Sequence, residues 1–289
     1  MEKLIYLNGL LFPESDAKIS VFDYGLLYGY GLFETMRAYN GKVFRIDQHI
    51  DRLLKSAKLI EIPIIQTRKE IKNAIDLTLA TNNLNDAHIR ITFTYGKGLP
   101  RLQFSDNQKT NLIVIADRIP ENISKIQKEG IRAIISQVAR RNNHSVSSKI
   151  KSTNFLDSIL AKIEVRAKKA DDAILLNSDN FVSEATTSNV FIVSDKKLIT
   201  PSEDSGILLG ITRNTITEIS KDIGIIIEQK KLTTKELIKA DECFITNSIM
   251  EIVPVVEIEG KKIGDGKPGE MTKRLQEEYK KLVEKETKK

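Results

Sequence analysis

Four short stretches carry side chains whose types and spacing could do chemistry. In the first, Lys149-Ile150-Lys151 ends an extended segment and runs into Ser152-Thr153-Asn154, a cluster of helix-capping residues. Phe155, Leu156, Ile159, Leu160 and Ile163 then follow at helical spacing. A lysine at such a junction sits where an interior meets its rim. Burial there lowers an ammonium pKa and frees the amine to form a Schiff base. An ordinary surface lysine of a Lys-rich chain reads the same way. The second stretch runs from Phe181 to Phe191 and sets Glu184 between two apolar strand segments. A carboxylate there can hydrogen-bond a ring nitrogen in a pocket, or simply cap a turn. The third is Ser205-Gly206-Ile207-Leu208-Leu209-Gly210-Ile211-Thr212-Arg213. Its glycines let the backbone approach a ligand, and a helix starting near Ile211 offers free N–H groups to an anion, with the Thr212 hydroxyl beside them. The fourth is His49-Ile50-Asp51-Arg52-Leu53, where Arg52 borders an apolar helical stripe, so its stem is coverable and its guanidinium can turn inward toward a phosphate. Tyr28-Gly29-Tyr30-Gly31 resembles the start of a dinucleotide-binding turn, but the third glycine of that pattern falls on Glu34.

The elements that must position these residues follow from periodicity. Asn8-Gly9 between Leu4–Leu7 and Leu10–Phe12 signals a hairpin, and Asn40-Gly41 a second one after a strand over Phe33–Tyr39. Asp47 is the expected N-cap of a helix whose apolar face is Ile46, Ile50, Leu53, Leu54, Ala57 and Ile60. A second helix is expected over Lys69–Asn82, then strands over Ala87–Tyr95 and Asn111–Ala116. Residues 1–116 thus read as a compact α+β domain, and 117–124, with Pro120, as a linker. In 125–289 the pattern restarts with a strand at Ile131–Ala139, a polar loop over Arg140–Ser148 and a helix from about Asn154. Strands are expected near 173–176, 181–182, 190–193, 198–199, 225–228, 242–246 and 252–258. Helices are expected from Ile211 and over Glu270–Glu284.

Composition removes several classes. The chain has 289 residues, 40% hydrophobic and 29% charged, which excludes collagenous, low-complexity and wholly disordered readings. One cysteine, Cys243, excludes an internal disulfide framework, and three scattered histidines argue against a metal site. No apolar run is long enough to span a membrane, and the N-terminus lacks the features of a signal peptide, so a cytoplasmic location is expected. The net charge of +6 raises a nucleic-acid-binding module as a competing class. The basic residues are interspersed with acids, including Glu284 and Glu286 in the Lys-rich tail, so neither nucleic acid nor membrane is an expected partner.

Taken in order, these stretches resemble the class IV aminotransferases, the pyridoxal-phosphate enzymes of fold type IV. The resemblance spans nearly the whole chain and rests on FDYGLLYGYGLFETMRAYNGKVFRIDQHIDRL, KIKSTNFLDSILAKIE, DDAILLN, FVSEATTSNVFIV, LITPSEDSGILLGITR and ADECFITNSIMEIVPV. It implies an α+β (mixed α/β) subunit with a small N-terminal α/β domain and a larger C-terminal pseudo-barrel domain. It also implies pyridoxal 5′-phosphate held at the domain interface, and a homodimer or higher homo-oligomer. Lys151 matches the lysine that forms the Schiff base and moves the substrate Cα proton; Lys149 is its neighbour and rival. Glu184 matches the acid that pairs with the pyridine nitrogen. Arg52, Ile211, Thr212 and Ser248 match phosphate contacts. Tyr28, Phe33, Arg37 and Ile249 match the substrate pocket, and Arg90 a position near the substrate carboxylate in some members.

The departures bear on the substrate. Branched-chain aminotransferases usually show KxGGNY after the lysine, where this chain has Lys151-Ser152-Thr153-Asn154-Phe155, so Phe155 stands where a phenol would be. D-amino-acid aminotransferases trap the carboxylate with an arginine and a histidine. Here Tyr95 occupies the arginine's place, with Lys97 and Arg101 nearby. FETMR and TNSIMEIVP resemble aminodeoxychorismate lyases. The expected activity is amino-group transfer between an amino acid, branched-chain or of the D series, and a 2-oxo acid such as 2-oxoglutarate or pyruvate. The alternative is aminodeoxychorismate cleavage to 4-aminobenzoate and pyruvate.

Overall fold

A computed structural model describes residues 2–98, 102–105 and 107–288. The chain divides into two compact units: Met1–Ile119 with Ile150–Asn154 and Glu286–Lys289, and Pro120–Lys149 with Phe155–Lys285. Lys151 therefore belongs to the first unit, although its sequence position lies inside the expected 125–289 segment.

The first unit is built on a six-stranded antiparallel sheet, β2-β1-β6-β5-β3-β4 in spatial order. Its strands are β1 (Leu4–Leu7), β2 (Leu10–Pro13), β3 (Gly31–Tyr39), β4 (Lys42–Val43), β5 (Ala87–Thr94) and β6 (Asn111–Arg118). Both expected hairpins form. Leu7 pairs with Leu10 and Tyr39 with Lys42. Asn8, Gly9, Asn40 and Gly41 all have positive φ, as a two-residue hairpin turn on right-twisted strands demands. Helix α1 (Tyr24–Leu27) is a single turn capped by Asp23. Helices α2 (Ile46–Leu59) and α3 (Arg68–Thr81) pack their apolar faces on the sheet, burying Ile50, Leu53, Ile71 and Ile75 against Leu32, Met36 and Ile89. Asp47 is not the cap of α2. Arg45, in the left-handed conformation, precedes the helix, and Asp47 lies in its first turn, where its charge still favours the helix dipole. The polar stretch 117–124 is not a free linker: Asp117 and Arg118 finish β6, and Ile123 opens α4 (Ile123–Glu129).

The second unit carries a nine-stranded sheet. Its strands are β7 (Ile131–Arg141), β8 (Asp172–Asn177), β9 (Val182–Ala185), β10 (Asn189–Ser194), β11 (Lys197–Pro201), β12 (Ile227–Lys230), β13 (Glu242–Asn247), β14 (Glu251–Ile258) and β15 (Lys261–Lys262). The order β10-β13-β14-β7-β8-β9 returns to β10 through the pairing of Glu184 with Asn189, which closes a six-stranded ring. Each ring strand contributes to one apolar cluster, among them Ile135, Ile174, Val182, Val190, Ile245 and Val253. Helix α5 (Leu156–Lys168) buries Ala161 and Val165 against Ile134, Ala173 and Leu175 of β7 and β8. Helices α6 (Ile211–Asp222), α7 (Thr234–Ile238) and α8 (Glu270–Thr287) complete the element list.

Two sequence expectations change here. The polar Arg140–Ser148 stretch is not all loop: β7 continues through Arg141 after a register shift between Ile135 and Arg140, and Val146–Lys149 form a 3₁₀ turn. Hence Lys149 does not end an extended segment.

Candidate active site

In the first unit, the segment after the 3₁₀ turn is laid along the start of β3. The Phe33 N–H donates to the Lys151 carbonyl at 3.0 Å, the Thr153 N–H donates to the Gly31 carbonyl at 2.9 Å, and Ser152 bridges to Leu32. This backbone pairing fixes Lys151 beside Phe33, with Nζ 4.4 Å from the ring centroid. The Arg90 guanidinium lies 3.7 Å from the same centroid. Arg90 is half-buried, has no carboxylate partner among the described residues, and desolvation lowers its pKa. Phe33 is therefore a ring flanked by two cations, a favourable cation–π arrangement. In the second unit, Lys149 is half-exposed, 3.8 Å from Glu203. The two lysines thus differ sharply: one pinned over an aromatic ring, the other in a surface ion pair.

The remaining predicted pocket residues of this unit scatter more. Arg37, two residues along β3 from Thr35, stacks over Tyr39 at 4.6 Å. Tyr28 ends α1 and is exposed, edge-on to Tyr24. Tyr95 is buried and stacked on Tyr24 at 5.4 Å, and its hydroxyl accepts from Ser105 N–H, so it serves an aromatic cluster. Arg101 lies outside the described residues.

Arg52 is bidentate on Glu34: Nε donates to Oε1 and Nη2 to Oε2, both at 2.7 Å. His49 Nδ1 meets Oε2 of the same carboxylate at 2.7 Å. Glu34 and His49 are fully buried. Desolvation opposes the Glu34 charge, but Arg52 and His49 together outweigh it and hold its pKa down at about 2. Burial lowers the His49 pKa despite Glu34, so the neutral ring donates Nδ1–H to the carboxylate. Nothing in the sequence gives Glu34 or His49 a role on its own. The readable signal was the three-residue spacing of His49 and Arg52, which puts both on one helix face.

In the second unit, Glu184 sits at the seam that closes the ring. Its Oε2 accepts from the Leu208 N–H at 3.1 Å, and Oε1 lies 2.9 Å from Arg141 Nε. Arg141 is not legible in the sequence, because two consecutive arginines after an apolar strand read as loop. Opposite Glu184, Asn189 donates from Nδ2 to the Leu208 carbonyl at 2.8 Å, and a Cβ added at Gly210 would collide with Asn189 Oδ1. Glycine is thus required where the chain passes Asn189 into α6. That helix begins at Ile211 with no side-chain cap, and Thr212 is buried in its first turn. Its opening N–H groups have no intrahelical acceptor.

Asn189 pairs with Thr246 across β10 and β13, so their side chains share a face of the sheet, the one carrying Leu208–Gly210. The Thr246 hydroxyl on that face is buried with no hydrogen-bond partner among the described residues. An orphaned buried hydroxyl costs about 1–3 kcal/mol, which a bound acceptor would recover. The turn after Thr246 is tied by Asn247, whose Oδ1 accepts from the Ile249 and Met250 N–H groups and whose Nδ2 donates to Ser188 Oγ. Ser248 stands at its crest, half-buried. Helix terminus, orphaned hydroxyl and Ser248 are donors suited to a phosphate. Glu184 is an acceptor suited to a protonated ring nitrogen, and Lys151 is an amine. The residues present fit pyridoxal phosphate.

Known proteins agree in kind. The family model described as "Amino-transferase class IV" matches residues 31–258. A protein of Methanocaldococcus jannaschii named putative branched-chain-amino-acid aminotransferase is 44% identical over 96% of this chain and 95% of its own. The aminodeoxychorismate lyase of Bacillus subtilis is 36% identical, covering 97% and 94%. The branched-chain amino acid aminotransferase of Thermobaculum terrenum, solved in its PLP-form, superposes with a TM-score of 0.87 at 28% identity, covering 98% and 94%. Two Arabidopsis thaliana relatives, named branched-chain-amino-acid aminotransferase-like proteins, are longer, and this chain spans about half of each. On the family match and these relatives, the chain belongs to the class IV aminotransferases.

Proposed function

We propose that this protein is a pyridoxal-phosphate-dependent transaminase that moves an amino group between an amino acid and a 2-oxo acid. The observation that carries the reading is the backbone pairing of the Lys151 segment with β3, which holds that amine over Phe33. When bound, pyridoxal phosphate supplies an aldehyde that condenses with amines and a ring that takes up electrons released at Cα. Lys151 provides the protein's amine and carries the proton to and from substrate Cα. The Glu184 carboxylate accepts from the ring N–H, its orientation fixed by Leu208 N–H and Arg141. Arg52, the N–H groups of Ile211 and Thr212, and the hydroxyls of Thr212, Thr246 and Ser248 receive the phosphate. Phe33, Tyr28, Arg37, Arg90 and Ile249 line the substrate side, and Arg90 is the cation offered to a carboxylate.

Borohydride reduction of the yellow enzyme followed by peptide mapping tests the assignment. Label on Lys151 is expected, and label on Lys149 or none overturns it. Transfer is separated from lyase chemistry by mixing the enzyme with single amino acids of both hands. Loss of the yellow colour, restored by 2-oxoglutarate or pyruvate, is expected. Failure of every amino acid, with catalytic release of 4-aminobenzoate from aminodeoxychorismate, would establish the lyase instead.

The protein is further proposed to act as a homodimer or higher homo-oligomer. Leu156, Ile159, Leu160 and Ile163 form an exposed apolar stripe at helical spacing on α5, and Val21, Phe22, Leu26 and Leu27 form a second exposed apolar run. Sedimentation at the 32.6 kDa of one chain would refute this. Among the described residues no helix is long and apolar enough to cross a membrane. A cytoplasmic location is proposed as well. No nucleic-acid partner is proposed, because many lysines are already paired with acids, as in Lys197–Glu228 and Lys230–Glu236.

A further inference from the structure

Glu34 is a carboxylate buried in the sheet–helix core of the first unit, yet it spends both oxygens on groups from one helix. It shares a face of β3 with Leu32 and Met36, which meet the apolar core formed with α2, while Phe33 and Thr35 face the other way. An apolar side chain would suit that row better on packing grounds, since an ionised carboxylate there is costly unless paired and hydrogen-bonded. The pairing here is specific. Arg52 presents its Nε–Nη2 edge to the two carboxylate oxygens in a planar fork, both contacts at 2.7 Å, and His49 adds a third contact at 2.7 Å. A fork of that kind fixes the plane of the guanidinium as well as its position, which one hydrogen bond or a lysine could not do. It also turns Nη1 away from Glu34.

We propose that Glu34 is a positioning residue of the cofactor site. It sets the plane of Arg52 so that the edge turned away from Glu34 meets the cofactor phosphate, and His49 keeps the carboxylate from rotating. This rests on the reading of Arg52 as a phosphate ligand given above. The carboxylate acts through Arg52 and makes no contact with the reacting atoms. His49, from the preceding turn of α2, donates Nδ1–H to Oε2, so the carboxylate is held on two sides and its plane is not free to follow thermal motion of one partner.

The test is a double-mutant cycle on cofactor affinity, read by titrating the apoenzyme with pyridoxal phosphate and, separately, with pyridoxal, which lacks the phosphate. Glu34→Gln is expected to weaken pyridoxal phosphate binding about tenfold to a hundredfold, the scale on which outer-shell partners of ligating groups act. Pyridoxal binding should be nearly unchanged. In an Arg52→Met background, the further change to Gln should have no effect on either ligand. Glu34→Asp, which keeps the charge but draws it back by one methylene, should fall between wild type and Gln, and it replaces Gln in the cycle if the latter does not fold. Equal weakening of both ligands, or additive losses in the double variant, would mean that Glu34 serves only the core and would overturn the proposal. If Arg52→Met alone leaves pyridoxal phosphate affinity intact, the phosphate role of Arg52 fails, and with it the premise. If Arg52→Met weakens it and Glu34→Gln does not, only the positioning role fails.

Discussion

Replacing Glu184 with glutamine should slow amino-group transfer without emptying the phosphate end of the site. The carboxylate is almost fully buried, accepts from the Leu208 N–H and forms an ion pair with Arg141, whose Nε makes no hydrogen bond among the described residues. Its two oxygens offer about four acceptor positions, so a further donor, the protonated ring nitrogen, can also be accommodated. A glutamine of the same shape has one oxygen and a donor NH2. It carries no charge to face Arg141, and its NH2 would set a donor against either the Leu208 N–H or the ring nitrogen. The ring nitrogen thereby loses a charge-assisted hydrogen bond of about 1.5–3 kcal/mol, which corresponds to roughly one to two decades in rate if it is felt fully in the step at Cα. Leaving Arg141 without its anion should also cost about 1–3 kcal/mol of folding stability. Stopped-flow measurement of the first half-reaction, followed by the colour of the bound cofactor at saturating amino acid, separates the rate effect from any loss of binding. A variant that reacts at the wild-type rate while melting lower would refute the ring-nitrogen role and leave Glu184 a structural partner of Arg141.

Thr246→Val removes the orphaned hydroxyl and should leave apoenzyme stability level or raised by up to about 1–3 kcal/mol, while weakening pyridoxal phosphate binding; a lower apoenzyme melting temperature with unchanged affinity contradicts this. Acid stability should depend on Glu34. Its pKa is lower folded, at about 2, than unfolded, so its contribution is complete above the ordinary carboxylate range and is lost as pH falls toward 2. That contribution is on the order of 3 kcal/mol. Urea melts between pH 5 and 3 should fall less steeply for Glu34→Gln than for wild type, and parallel curves would contradict the assignment.

The parts of the fold that were legible in the sequence are those fixed by local physics. Asn8-Gly9 and Asn40-Gly41 announce their hairpins because only such pairs accept positive φ cheaply. The long helices α2, α3, α5 and α6 follow from apolar periodicity. The short helices α1, α4 and α7 offer too few turns for periodicity to register, although the Thr233–Glu236 capping box of α7 is a readable start signal. Lys151, Glu184 and the Ile211 helix start could be picked as candidates by type and context, although only the family resemblance singles them out. Their partners could not. Arg141 reaches Glu184 only because β7 shifts register beyond Ile135, and Glu34 finds Arg52 only because β3 and α2 pack face to face. The unpaired state of Thr246 depends on everything around it, so no local pattern encodes it.

The five residues Ile150–Asn154 belong to a unit whose other strands were all made more than thirty residues earlier in the chain. A gene cut between residues 119 and 120 would put the whole six-stranded sheet on one fragment and Lys151 on the other. Neither fragment alone could then hold Lys151 over Phe33 by backbone pairing, however well it folded. Reassembly of the two would be needed to restore the strand-like pairing of Ser152 with Leu32, so the sheet and the Lys151 segment report on each other's folding.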